Sequence, residues 1–302
     1  MRRRRPGCTA RGTVRSSGRA SGSAHRTGRR SAESPGTFAL GARRTVFEAI
    51  RSGSATRVLV SRGARPTEGL RDLLAAAEAA GVRVERVAEE DIDRLGLQDH
   101  QGVAAIVRAP RVLDERDLSR VPSDENGLAV VLEGIGDPQN LGACARSAEA
   151  AGASLLVIRK RRAAPVTPAA VRASAGALLH LPVARVANIP RAVERLQERG
   201  YFVAGLDQSA SHDIHDAAPP PRPLALVVGA EDVGLSRLTR EACDLLVAIP
   251  MPGRTASLNA SAALAVALFG YALRRSGWAG LQLGRCYDGP AGVAQSGSAS
   301  DL

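Results

Sequence analysis

Residues 127–146 read GLAVVLEGIGDPQNLGACAR. Residues 128–132 are an unbroken apolar run bounded by Gly127 and Glu133, as expected of a strand buried on both faces. Gly134 and Gly136 open a turn, and Pro138 and Asn140 suit a turn and helix start. A helix is then predicted over 141–151, with Leu141, Cys144, Ala145 and Ala148 on one apolar stripe and Arg146 well off it. A buried strand, a glycine turn and an amphipathic helix make the repeating unit of a parallel sheet covered on both faces.

Working outward, the unit recurs. Strands are predicted at 154–158, 183–186, 202–205, 224–228 and 245–249. Helices are expected near 169–175, over 189–199, briefly from Ser236, and over 257–273. The fold class is therefore α/β with a mostly parallel sheet. Upstream, a helix over 38–50, strands at 57–60, 82–87 and 102–107, and an Ala-rich helix over 70–80 ended by Gly81 give a small α/β unit. The predicted organisation is a tail over 1–36, a small domain over 37–108, a polar linker over 109–126, a larger domain over 127–275 and a Gly/Ser-rich tail over 276–302.

The net charge of +11 invites a nucleic-acid reading, but residues 1–33 hold ten Arg against one acid, leaving +2 for the rest. An Arg, Ser and Gly tail without apolar periodicity cannot offset its chain entropy by burial, so it is expected to be disordered. It reads as a polybasic arm for a phosphate backbone, as an unselected extension, or, less well, as an organelle transit peptide, since no amphipathic helix runs through Arg2 to Arg30. No apolar run approaches the roughly 20 residues of a membrane span. Cys8, Cys144, Cys243 and Cys286 show no metal or disulfide spacing, so no metal site is expected and a reducing cytoplasm is the expected location.

Ligands of parallel sheets bind beyond the carboxyl ends of the strands. Three segments fall there: residues 137–142 with Arg146, Gly229-Ala230-Glu231-Asp232-Val233-Gly234, and Ile249-Pro250-Met251 leading to Ser257-Leu258-Asn259. The first resembles a dinucleotide turn, but Gln139 stands where a third glycine is required, and Arg159 and Lys160 lie where an acidic ribose ligand belongs. Those cations leave an NADP oxidoreductase as an alternative. Read alone, Arg146 is a surface arginine, Glu231 an exposed acid in a glycine turn, and Ser257 a helix cap.

Together the segments resemble the three motifs of the SpoU/TrmH family of RNA ribose 2′-O-methyltransferases in the SPOUT superfamily. The likeness extends through Ala173-Ser174-Ala175-Gly176-Ala177 and His180-Leu181-Pro182-Val183. Residues 41–50 and His100-Gln101-Gly102-Val103 are similar to the ribosomal-protein-like substrate domain of the large-subunit rRNA guanosine methyltransferases. The resemblance implies a deep trefoil knot in a SPOUT domain, S-adenosylmethionine as methyl donor, a homodimer sharing its active sites, and 23S rRNA, or alternatively tRNA, as substrate. It implies cofactor contacts at Gly229, Ile249, Met251 and Leu258, and catalytic positions at Asn140, Arg146, Glu231, Ser257 and Asn259. A non-catalytic RNA-binding protein would not need those polar residues. Glu133 stands where the family commonly has Asp, and Asp232 where it often has Gly.

Overall fold

A computed structural model describes residues 36–274, apart from residues 98, 111, 122, 123, 125 and 256. Both expected tails lie outside the described residues, save for Gly36.

The first sheet has four strands in the order β1-β4-β2-β3. β1 (Thr37–Gly41) and β2 (Ala55–Ser61) run antiparallel to β4 (Val103–Arg108), and β3 (Arg83–Val87) lies parallel to β2. α1 (Arg43–Arg51) and α2 (Glu68–Ala79) cover one face, burying Val46, Ile50, Leu70 and Leu73 against Val58, Val60 and Val103. On the other face the short α3 (Glu89–Asp93) sets Ile92 against Leu59 and Ala104. The helix expected over 38–50 thus begins five residues late. Thr37 to Gly41 pair residue by residue with Arg108 to Ala104, and Ala42, at φ 67, turns the chain into α1. The apolar spacing of Phe38 and Leu40 suits either period, and only the partner strand decides.

The second sheet has eight strands, all parallel, in the order β10-β12-β9-β11-β6-β7-β8-β5. They are β5 (Val112–Asp114), β6 (Leu128–Leu132), β7 (Leu155–Arg159), β8 (Val183–Val186), β9 (Phe202–Leu206), β10 (His212–Asp213), β11 (Leu224–Val228) and β12 (Leu245–Ala248). The helices are α4 (Pro138–Ala150), α5 (Pro168–Ala173), α6 (Ile189–Glu198), α7 (Arg237–Ala242) and α8 (Ala260–Gly270). Alternate strand residues serve opposite faces. Leu128, Val130 and Leu132 join Leu141 and Cys144 of α4 and Leu264 of α8, while Ala129 and Val131 join Ile189, Val193 and Leu196 of α6. Both faces are covered, as the uninterrupted apolar strands require.

The stretch expected as a linker is ordered where described. β5 pairs with β8 at the sheet edge, and a 3-10 turn over Glu115–Arg120, closed by an Asp114/Asp117 capping box, buries Leu118. Glu115 ties it to α6, its carboxylate lying 3.5 Å from Arg191 Nε and 3.7 Å from Arg195 Nη2 while its carbonyl accepts from Arg195 Nη1 at 2.6 Å. A three-residue edge strand is too short for any periodicity to reveal.

The two sheets share a core: Leu40, Val46 and Val58 belong to the same buried cluster as Leu128 and Leu141. At the junction Gly176 has φ +94, and a Cβ there would lie 2.5 Å from the Cβ of Glu48. Glu48 is buried, accepts a hydrogen bond from His180 Nε2 at 3.2 Å, and lies 3.0 Å from Arg44 Nη2. The His180 hydrogen bond, aided by Arg44 and Arg51 and opposed by burial, holds its carboxyl below the usual range. Among the described residues, no helix is long and apolar enough to cross a membrane.

Candidate active site

Because every strand of the large sheet points the same way, the loops after β6, β9, β11 and β12 meet at one edge. After β6, Glu133 is buried; its backbone N–H donates to Val228 O at 2.8 Å and its Oε2 accepts from Ser236 N at 3.0 Å. A buried carboxylate needs such donors, and this one ties the β6 loop to the start of α7. α4 then begins at Pro138, one turn earlier than expected. Asp137 caps it, accepting from Gln139 N at 3.1 Å, and proline fits the first helical position because no N–H is needed there. That carboxylate occupies the helix end where a dinucleotide fold would seat its pyrophosphate, so the NADP alternative loses its phosphate site.

The stripe of Leu141, Cys144, Ala145 and Ala148 is buried, and Arg146 is exposed. Gly142 lets α4 pack directly on α5; a Cβ there would fall 2.4 Å from that of Ala173. Burial, with a smaller push from the Glu231 charge, raises the Cys144 thiol to about 12, which leaves it protonated and unreactive.

After β11 the chain folds back on itself. Ala230 and Gly234 exchange two backbone hydrogen bonds, at 3.1 and 2.8 Å, with Gly234 at φ +64. Gly229 sits under this ring, where a Cβ would come 2.1 Å from the Gly234 carbonyl carbon. No other residue fits there without moving the loop. Glu231 stands on the ring and is gripped from two sides. Its Oε1 accepts from Asn140 Nδ2 and from Asn259 Nδ2, the latter at 2.8 Å, and Asn259 Nδ2 also lies 3.1 Å from Asn140 Oδ1. The three segments therefore converge on one carboxylate, joining residues 91 and 28 positions apart in sequence.

The last helix differs from expectation. α8 starts at Ala260, and its cap is Asn259, whose Oδ1 accepts from Ser261 N at 2.8 Å; Ser257 remains in the loop, exposed. The asparagine thus uses its oxygen on the helix and its amide on Glu231. Ile249, Met251, Ser257 and Leu258 instead form part of the wall of a cavity of about 440 Å³ at the sheet edge. Gly229, Ile249, Met251, Leu258, Glu231 and Ser257 all line it. Asn140 and Asn259 reach it through Glu231. Arg146 is not in the wall, and its side chain makes no hydrogen bond or ion pair among the described residues.

One part of the wall has no counterpart in the sequence reading. Asp207, following β9, accepts from Ser209 N and Oγ at 2.8 and 2.6 Å and from Arg240 Nε at 3.1 Å, and Arg240 Nη2 donates to Ser209 Oγ at 2.8 Å. The signal available was position alone: an acid directly beyond a buried parallel strand.

Comparison with known proteins agrees with this geometry. Residues 127–269 match the SpoU rRNA Methylase family, and residues 43–113 match the family of RNA 2′-O ribose methyltransferase substrate-binding domains. The chain is 37% identical over 230 residues to a putative TrmH family tRNA/rRNA methyltransferase of Staphylococcus haemolyticus, covering 75% of this chain and 92% of that one. It is 40% identical over 207 residues to the 23S rRNA (guanosine-2′-O-)-methyltransferase RlmB of Photobacterium profundum, covering 68% and 84%. Among solved structures, the SpoU methyltransferase AviRb of Streptomyces viridochromogenes in complex with AdoMet superposes with a TM-score of 0.64 at 29% identity, over 79% of this chain and 90% of that one. The chain belongs to the SpoU/TrmH family of RNA 2′-O-ribose methyltransferases.

Proposed function

We propose that this protein transfers the methyl group of S-adenosylmethionine to the ribose 2′-hydroxyl of a guanosine in 23S rRNA, working as a homodimer in the cytoplasm. The observation that carries the reading is the grip of Asn140 and Asn259 on Glu231 at the mouth of the Gly229 cavity. Relatives named for that reaction on that RNA favour rRNA over tRNA. The free thiols of Cys144 and Cys243 suit a reducing compartment.

The cavity suits the methyl donor. Its volume is within the range of small-molecule sites, Val228, Ile249 and Leu258 give it apolar walls, and Gly229 has no Cβ to hold the ring 229–234 away. Gly229, Ile249, Met251 and Leu258 would hold the group. Bound there, it would supply an activated sulfonium methyl for in-line attack by an RNA 2′-oxygen, the O–C bond forming as the C–S bond breaks and the neutral thioether leaves.

The chain's own residues then have separable tasks. Holding both reactants in line supplies much of the rate. Arg146, permanently protonated, grips the ribose-phosphate and stabilises charge developing on the 2′-oxygen; it cannot act as a base. Glu231 has Oε1 committed to two amides, which leaves Oε2 to accept a hydrogen bond from a ligand. Ser257, exposed on the cavity wall, supplies a hydroxyl beside it. The proton passes to a neighbouring group or water.

A trefoil knot and a dimer belong to the same proposal. β12 pairs with β9, beyond β11, while α8 packs on α4 and β11, a return of the chain that supports the knotted reading. α8 is apolar all round and leaves Phe269 50% exposed, a surface that suits a second copy. Mapping ribose methyls in 23S rRNA of cells with and without the gene tests the reaction: one guanosine methyl should vanish on deletion, and an unchanged map would refute the rRNA reading.

A further inference from the structure

We propose that the loop Arg159-Lys160-Arg161-Arg162 is a phosphate-binding surface for the RNA strand on the catalytic sheet itself. The inference rests on the RNA-methylating reading above and extends it to a second contact region.

Four consecutive cations begin at Arg159, the last residue of β7, with Lys160, Arg161 and Arg162 exposed. None of the four side chains has a hydrogen bond or an acidic partner among the described residues. Several arginines of the covering helices are neutralised: Arg191 and Arg195 share Glu115, Arg237 pairs with Glu241, and Arg240 pairs with Asp207. Adjacent like charges repel one another, and an unneutralised run of this kind awaits an external anion.

The loop's backbone is fixed. Lys160 N donates to Val186 O at 2.8 Å, Arg185 Nη2 donates to Lys160 O at 3.0 Å, and Ala164 N donates to Ile135 O at 2.8 Å. Arg162 is held at φ +57, a conformation that costs a non-glycine residue free energy and persists only where its surroundings impose it. The Ala164 bond ties the loop to the segment that opens α4 and presents Asn140. β7 lies two strand spacings, roughly 10 Å, from β11, whose loop carries Glu231. A strand whose ribose reaches Glu231 can therefore lay neighbouring phosphates along these cations.

The loop 159–162 has no aromatic residue to stack a base, so it can hold the backbone without reading sequence. Release of counterions from the phosphates supplies the affinity. These cations are also where an NADP site would have placed its phosphate partner; at this edge they face RNA instead.

The test uses the full chain and a single-stranded 23S rRNA fragment that the wild type methylates, with affinity measured across a salt series. K160Q/R161Q/R162Q should make the slope of log K against log salt shallower by about 2, from roughly 0.7 per phosphate on a single strand. S-adenosylmethionine affinity and the methylated nucleotide should stay unchanged. Arg161→Gln alone, with a slope change of about 0.7, keeps the test decisive if the triple variant misfolds. An unchanged slope, while the wild type methylates normally, overturns the proposal and leaves the methyltransferase reading intact. Loss of polyglutamate binding without loss of RNA binding also overturns it, by assigning the loop to an acidic protein. A wild type that neither binds nor methylates RNA fails both readings.

Discussion

Arg146 and Glu231 lie at one sheet edge in opposite settings. Glu231 is held by two amides, whereas Arg146 has no partner among the described residues. A held carboxylate is positioned in advance; on the proposed reading, the free guanidinium takes its place when RNA supplies the phosphate. Arg146→Ala should therefore lower kcat for methyl transfer by roughly 100- to 1,000-fold, as loss of a charge-stabilising donor does. Its affinity for S-adenosylmethionine, read by calorimetry, should not change. Near-normal turnover at saturating RNA would remove Arg146 from the mechanism. At this scale the sequence was informative about direction: the stripe of Leu141, Cys144, Ala145 and Ala148 already placed Arg146 on the far side of α4. It was silent about partnership, because Asn140, Glu231 and Asn259 meet only through the loops after different strands.

At the scale of elements, the small sheet is locked to the large one by Glu48 of α1, against Gly176 and His180. The folded-state carboxyl of Glu48 lies below its ordinary value, chiefly through the His180 hydrogen bond. Its stabilisation is thus present above the ordinary carboxylate range and is lost as pH falls through the lowered folded value. Glu48→Gln should cost about 1–2 kcal/mol at pH 7, the scale of a hydrogen bond to a charged group. Thermal unfolding followed by circular dichroism should show a Tm lower by a few degrees at neutral pH, converging with wild type as pH falls below the ordinary carboxylate range. A deficit that stays constant with pH would mean that Glu48 contributes packing and not charge. Element types were mostly legible, since each large-sheet strand longer than three residues is a short apolar run between helical patterns. Boundaries were less so: β1 hid inside a helical pattern until β4 paired with it, and β5 was too short to show. The start of α8 moved from Ser257 to Ala260, with Asn259 as its cap, because the wall of the cavity takes up Ser257 and Leu258.

For the whole molecule, α8 with its exposed Phe269 predicts association. Sedimentation equilibrium should give a two-chain mass, and Phe269→Glu should shift the protein toward one chain; a wild type that stays monomeric while fully active would remove the dimer from the mechanism. Charge is also organised at this scale. The sequence places most of its excess in the first 33 residues, yet the structure sets a separate cluster, Arg159 to Arg162, beside the site. The parallel α/β sheet and the edge at which the three motifs gather were legible from the sequence alone, because strand burial and glycine turns are encoded locally, and the motifs' likeness to one family carried the chemistry. Only the tertiary structure decided that Glu231 is shared by Asn140 and Asn259, that Asp207 and Arg240 complete the cavity wall, and that the two sheets share one core. Those outcomes depend on which strands become neighbours, a choice made by the burial of whole faces and visible in no single segment.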